Sequence, residues 1–186
     1  MLDKNKAIDI ITNFLQDESK KYLLVRGYDC DAKLKVILEC LNREFSKGII
    51  RTSDMSDIAD HINMAFNKKM LPHTVKSTTN YKLGRILVNI NSYVNHTQSN
   101  PRGNENTFTL FYPVQTVLGN AKRYEKFLDE LKSTNSKKVI LITTNEWSIK
   151  EWDIENYMDE VYFYSVENDN PEIMRNLRSN GALLWS

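Results

Sequence analysis

Residues 22–41 read YLLVRGYDCDAKLKVILECL, and this stretch decides the fold. Tyr22-Leu23-Leu24-Val25 is a continuous apolar run, the pattern of a strand buried on both faces. Gly27 interrupts it. From Ala32 onward, Val36, Ile37, Cys40 and Leu41 recur at helical spacing. The unit is strand, glycine turn, helix.

The same alternation extends on both sides. Upstream, Asp3 to Leu15 is an amphipathic helix with Ala7, Ile8, Ile11, Phe14 and Leu15 on one side and Asp3 as its cap. Downstream, the second helix runs to about Phe45 and Lys47-Gly48 ends it. Ile49-Ile50 is a short strand, and Thr52-Ser53-Asp54 caps a helix carrying Ile58, Ile62, Ala65 and Phe66. Successive strand-helix units predict a parallel sheet covered by helices.

The alternation breaks at Asn67. Residues 67–80 are polar and basic, with Pro72 inside. In 81–94, Ile86, Val88 and Ile90 recur at period two, which predicts a strand with one wet face, at an edge or in a hairpin. Residues 95–106, NHTQSNPRGNEN, predict an exposed, mobile loop. The span 67–106 is thus expected to be an insertion. After it come a strand at 107–112 stopped by Pro113, and a helix to about Lys132 divided at Gly119-Asn120. A buried strand at 139–142, a short helix over 147–157, a strand at 161–164 and a helix from Pro171 to Gly181 complete the chain. The expected fold is a single α/β domain over residues 1–186, with an N-terminal helix within 1–20. It is three-layered, with a mostly parallel sheet of five or more strands and helices on both faces.

Composition narrows the function classes. The chain has 186 residues, 41% of them hydrophobic, enough for one full core. Its 25 Lys+Arg against 24 Asp+Glu leave a net charge of +1, so any nucleic-acid binding must use a local patch. No apolar run is long enough to cross a bilayer. The acids within the first apolar stretch do not suit a signal peptide, and the expected location is the cytoplasm. Cys30 and Cys40 fall in a loop and a helix and offer neither a disulfide nor a metal site. His73 and His96 lack nearby ligand partners, so no metal is expected.

The segment Gly27-Tyr28-Asp29-Cys30-Asp31-Ala32-Lys33-Leu34 has the length and register of the phosphate-binding loop G-x-x-x-x-G-K-[ST]. Such a loop aims backbone N–H groups and a helix N-terminus at phosphates. Gly27 and Lys33 match. Ala32 replaces the second glycine, and Leu34 replaces the hydroxyl that would hold Mg²⁺. Asp29 and Asp31 bring negative charge to the place of the phosphates.

The chain resembles P-loop NTPases of the AAA+ or RecA-like kind. The resemblance rests on this loop and on five buried runs in the family's order, at 22–25, 49–51, 107–112, 139–143 and 161–164. It covers most of residues 20–166. It implies a nucleotide-binding fold in which Asn145 matches the sensor position after the fourth strand. Phe111-Tyr112-Pro113 stands where the family places its Mg²⁺-binding acids. With the second glycine, the hydroxyl and the acids all missing, the resemblance implies that hydrolysis is lost and that ATP or GTP is disfavoured as a cofactor. A plainer reading of the same residues stands beside it: Gly27 is a turn glycine, Lys33 a solvated helix lysine and Asn145 a helix cap.

Other chemistry is sparse. Lys68, Lys69, His73, Lys76, Lys82 and Arg85 with Tyr81 in or near the insertion, and Arg102 in the loop, form a candidate nucleic-acid patch; a solvated lysine-rich surface is the alternative. Glu18-x-Lys20 and Glu130-x-Lys132 have nuclease-like spacing but fall on helices or helix ends. The single Gly27 does not make a dinucleotide fingerprint. The expectation is a non-catalytic domain acting through protein and nucleic-acid contacts, as a regulatory or structural subunit of a nucleic-acid-handling or phage-defence assembly. Loop 95–106 and the tail Leu183-Leu184-Trp185 are its candidate contact surfaces. The competing expectation is an enzyme that binds a nucleotide or other phosphate ligand at Gly27–Lys33, using Asp29, Asp31 and Asn145.

Overall fold

The computed structural model describes residues 2–95, 99–149 and 152–182. His96 and the tail 183–185 lie outside them. Seven strands form one sheet: β1 (Tyr22–Arg26), β2 (Lys47–Thr52), β3 (Asn80–Leu83), β4 (Ile86–Ser92), β5 (Thr107–Phe111), β6 (Lys138–Ile142) and β7 (Glu160–Phe163). The helices are α1 (Asp3–Gln16), α2 (Cys30–Glu44), α3 (Ile58–Phe66), α4 (Gln115–Leu118), α5 (Ala121–Lys132), α6 (Glu146–Ile149) and α7 (Pro171–Ser179), with a 3₁₀ turn at Ile154–Tyr157. The spatial order is β3-β4-β2-β5-β6-β1-β7, and all neighbours are parallel except β3 and β4. The result is an α/β fold with a mostly parallel sheet.

Alternation along the strands feeds two cores. Leu23 and Val25 of β1, Leu110 of β5 and Ile140 and Ile142 of β6 pack with α1, α2, α3 and Met174 of α7. Leu24, Phe111, Val139 and Leu141, one residue out of phase, pack with α4, α5, Ile149 and Ile154. Period-two geometry sends neighbours to opposite faces, so continuous apolar runs serve both.

The insertion joins the main sheet. β3 and β4 form an antiparallel hairpin in which β3 lies at one edge of the sheet and β4 is interior, parallel to β2 from Lys47 opposite Leu87 to Thr52 opposite Ser92. The wet-face pattern of β4 arises because Ile86, Val88 and Ile90 pack inward while the opposite face carries Leu87 and Asn89. The described part of loop 95–106 makes backbone hydrogen bonds to the neighbouring segments. Arg102 O accepts from Asn135 N–H at 2.8 Å, and Asn104 O accepts from Thr107 and Lys137 N–H at 3.1 Å.

Three helix boundaries also differ from expectation. Lys47-Gly48 begins β2 rather than ending α2, and the Phe108 ring occupies the space beside Gly48; a Cβ there would stand 2.2 Å from ring carbons. Asp3 lies inside the first turn of α1, whose free Asp3 and Lys4 N–H groups are taken by the Asp169 carboxylate at 3.1 and 2.5 Å. Asp54 folds into an Asx turn with Ser56, and α3 starts only at Ile58.

Lys138 fixes α1 to the sheet. It is 1% exposed, and its ammonium donates to Phe14 O, Asp17 O and Lys20 O at 2.8, 2.6 and 2.5 Å. The cation thereby satisfies carbonyls at and beyond the end of α1.

Candidate functional site

In open α/β sheets, ligands bind outside the carboxyl ends of the strands where the chain reverses its travel across the sheet. Here α2 carries the chain from β1 past β6 and β5 to β2, and α4 and α5 carry it back from β5 to β6. The candidate crevice therefore lies over the ends of β1, β5 and β6.

The loop leaving β1 has only three residues, Gly27 to Asp29, before α2 begins at Cys30. Gly27 has φ +137°, and a Cβ on it would stand 2.5 Å from Tyr164 O. Its glycine is demanded by the backbone following β7, not by close approach to a ligand. Asp29 is the N-cap, accepting from Ala32 N–H at 2.9 Å through its side chain and from Lys33 N–H at 3.1 Å through its carbonyl. Gly27 N–H donates to Glu146 Oε1 at 2.9 Å. Three donors that a phosphate loop would aim outward are thus consumed internally.

Lys33 is fully buried rather than solvated. Its ammonium donates to Gly27 O, to Thr143 O at 2.5 Å and to Thr143 Oγ1 at 3.4 Å. Burial pulls its pKa below the ordinary lysine value, against the opposing pull of Cys30 and Glu146. Glu146 is 3% exposed and completes the centre. It accepts from Arg26 Nε and Nη2, each at 2.8 Å, and from Thr143 Oγ1 at 2.7 Å. Arg26 also reaches Glu155 at 2.7 Å. Two cations and two carboxylates therefore neutralise one another at the ends of β1 and β6.

The neighbouring loops close over this centre. Gln115, after β5, accepts from Thr144 N–H at 2.7 Å and Oγ1 at 2.8 Å and donates to Asn145 O at 3.3 Å. Asn145 is exposed and caps α6, its Oδ1 accepting from Trp147 N–H at 3.0 Å. Cys30 Sγ lies 3.7 Å from Thr144 O, and burial pushes its thiol pKa up, which leaves it a poor nucleophile. Asp31 is exposed; burial and Asp29 raise its pKa, and His61 opposes them. The His61 ring stands edge-on to Tyr112, 5.8 Å away.

Gly27, Asp29, Asp31, Lys33 and Asn145 are therefore gathered at one end of the sheet, but as turn, caps and buried tie. These residues do not fit a magnesium nucleotide. The lysine and three backbone donors are engaged, Leu34 is buried, and Tyr112-Pro113 supplies no carboxylate. Among the described residues no cluster of three His, Cys, Asp or Glu side chains could hold a metal ion. Sequence reasoning missed Arg26, Thr143 and Glu146. The available signal was an acid one residue past Asn145, on a segment following the most apolar strand.

The basic residues do not form one patch. Lys68 and Lys69 are exposed after α3, beside Asp60 and Met64. Lys76 is exposed, and its N–H donates to Tyr81 Oη at 2.8 Å. The Tyr81 ring packs on the first core and is not free to stack on a base. Lys82 lies on β3 and Arg85 in the β3–β4 turn, both exposed. Arg102 turns to Ser133 Oγ, 4.0 Å from Glu130. His73 pairs with Asp60 at 2.9 Å, which raises its pKa. No described helix is long and apolar enough to cross a membrane.

No family model matches the sequence, and no curated protein matches it. Among solved structures the fold is similar to a Sulfolobus solfataricus SWI2/SNF2 ATPase core in complex with dsDNA, at 13% identity and a TM-score of 0.54. The likeness covers 84% of this chain and 35% of that one, so this chain spans about a third of its neighbour's length. At that identity it is a likeness of fold alone, and it supports, coarsely, a P-loop NTPase-like fold for this chain.

Proposed function

We propose that this chain is a non-catalytic domain on a three-layer P-loop NTPase-like fold, acting through contacts with a protein or nucleic-acid partner as a regulatory or structural subunit of a nucleic-acid-handling assembly. The observation that carries the reading is the captured lysine: Lys33 spans from Gly27 O to Thr143 O, beneath the place a triphosphate would take. A phosphate-binding lysine must present its charge to the ligand. This one spends its donors on main-chain carbonyls and stands near the carboxylate of Glu146. The two cores fed by alternate strand positions support the layering. The DNA bound in the fold neighbour supports nucleic acid as one partner class.

Calorimetric titration of the full chain with ATP and with GTP, each with Mg²⁺, tests the reading. The expected result is no saturable heat. A saturable isotherm in the micromolar range would overturn it and favour a nucleotide-binding enzyme.

A further inference from the structure

The sheet's second face is covered only in part. The core on that face draws on β1, β5 and β6 and on no described residue of β2, β3 or β4. There these three strands present two cross-strand rows, Lys47 beside Leu87 beside Lys82 and Ile49 beside Asn89 beside Asn80. Lys47, Asn80 and Lys82 are exposed, and Leu87 is 41% exposed. Together with segment 101–104 these rows, Lys82 apart, line a groove of about 580 Å³. It lies at the amino ends of β2, β4 and β5, the far end of the sheet from Lys33.

The groove's chemistry is one-sided. Its lining includes Lys47 and Arg102 and no carboxylate, and Lys82 extends the charged row. Outside the lining, Glu105 is exposed on the loop, and Glu130 pairs with Arg51 at 2.6 Å and stands 4.0 Å from Arg102. Leu87 gives an apolar floor between two lysines. Asn89 donates to Ser77 O at 2.8 Å and accepts from Asn91 Nδ2 at 2.9 Å. By contrast, the pocket beside Lys68 and Lys69 contains Asp60.

We propose that this face binds single-stranded nucleic acid, deepening the contact reading above and resting on it. Lys47, Lys82 and Arg102 meet phosphates, Leu87 meets a sugar or base, and the Asn80 amide meets a base edge. A polyanion complements the exposed Lys47 and Lys82, and competes with Glu130 for Arg102. A single strand also brings bases down to the apolar floor, which a duplex keeps stacked inside. Three phosphate contacts imply a salt slope of about −2, so affinity falls about 20-fold from about 50 to 200 mM salt.

The test is fluorescence anisotropy of the full chain with a labelled oligothymidylate of roughly 15 nucleotides. The expected result is salt-dependent binding that Lys47→Glu with Lys82→Glu weakens by about tenfold or more and whose salt slope it flattens. Lys68→Glu with Lys69→Glu, the same change in net charge, leaves binding intact. Both sites are exposed, and an unchanged unfolding midpoint for each variant shows that the fold survives. Equal loss in the two variants, or loss only in the second, overturns the groove while the contact reading stands. Equal affinity for the matching duplex overturns the single-strand assignment. No binding to either form overturns the proposal and the nucleic-acid arm of the contact reading, and leaves the nucleotide titration to judge the non-catalytic claim separately.

Discussion

Lys33→Met separates a captured lysine from a phosphate-binding one without any ligand. Methionine keeps the length and apolar body of the side chain and removes the charge. The loss is two charge-assisted hydrogen bonds, to Gly27 O and Thr143 O, each worth about 1.5–3 kcal/mol, with both carbonyls left short of a donor. Against this, the ammonium no longer has to be stripped of water, which returns part of the loss. Glu146 keeps Arg26, whose Nε and Nη2 both reach Oε2, so no carboxylate is stranded. The net expectation is destabilisation of about 3 kcal/mol, or roughly 6–12 °C in Tm for a chain of this size. Urea unfolding at neutral pH without nucleotide measures it. A phosphate-binding lysine would have a free head in the empty protein, and its substitution would fall within about 0.5 kcal/mol of wild type. That smaller value would refute the captured-lysine argument.

Other perturbations follow from the same packing. Lys138→Met removes the three-carbonyl tie beneath α1 and is expected to cost about 2–3 kcal/mol, with hydrogen exchange accelerating first in Asp3–Gln16. Gly27→Ala sets a Cβ against Tyr164 O at positive φ and is expected to cost about 3 kcal/mol in denaturant unfolding; a neutral result would mean this turn is not as described. Gly48→Ala meets the Phe108 ring and is expected to cost about 2 kcal/mol by the same assay. Asp3 accepts from Asn168 N–H at 2.7 Å and Nδ2 at 2.9 Å; burial opposes ionisation, but these bonds win and hold its pKa below the ordinary 3.8. A depressed carboxylate stabilises the fold above its unfolded pKa and loses that contribution as pH falls through the folded one. Wild type should therefore exceed Asp3→Asn by about 0.5 kcal/mol at pH 6, a margin that closes below pH 3.8; a pH-independent margin would contradict the assignment.

Much of the architecture was legible in the chain because apolar runs have few places to go. The run at 139–142 could only be a buried strand, and alternation at Ile86, Val88 and Ile90 fixed which face of that segment packs inward. Gly119-Asn120 marked a helix break because Asn120 caps α5. The neighbours of the 81–94 segment were not legible, since β4 pairs with a strand some forty residues earlier through hydrogen bonds that leave no periodic trace. The beginning of β2 was missed for a related reason. Gly48 reads locally as a helix stop, and only the Phe108 ring on the adjacent strand explains it.

The candidate site shows the same division. From the order of residues alone, Gly27, Asp29, Asp31, Lys33 and Asn145 fall after apolar runs, and a hydroxyl and acids are missing from the positions a magnesium nucleotide needs. Where the Lys33 charge goes is set by the packing of distant segments. A lysine four residues into a helix reads the same whether its ammonium faces a phosphate, water or two carbonyls. The choice depends on Thr143 and Glu146, more than a hundred residues away, brought beside it because β1 and β6 pair in register from Tyr22–Val139 to Val25–Ile142. Burial then fixes the outcome, since a cation inside the protein must be neutralised by whatever partner the fold places within reach.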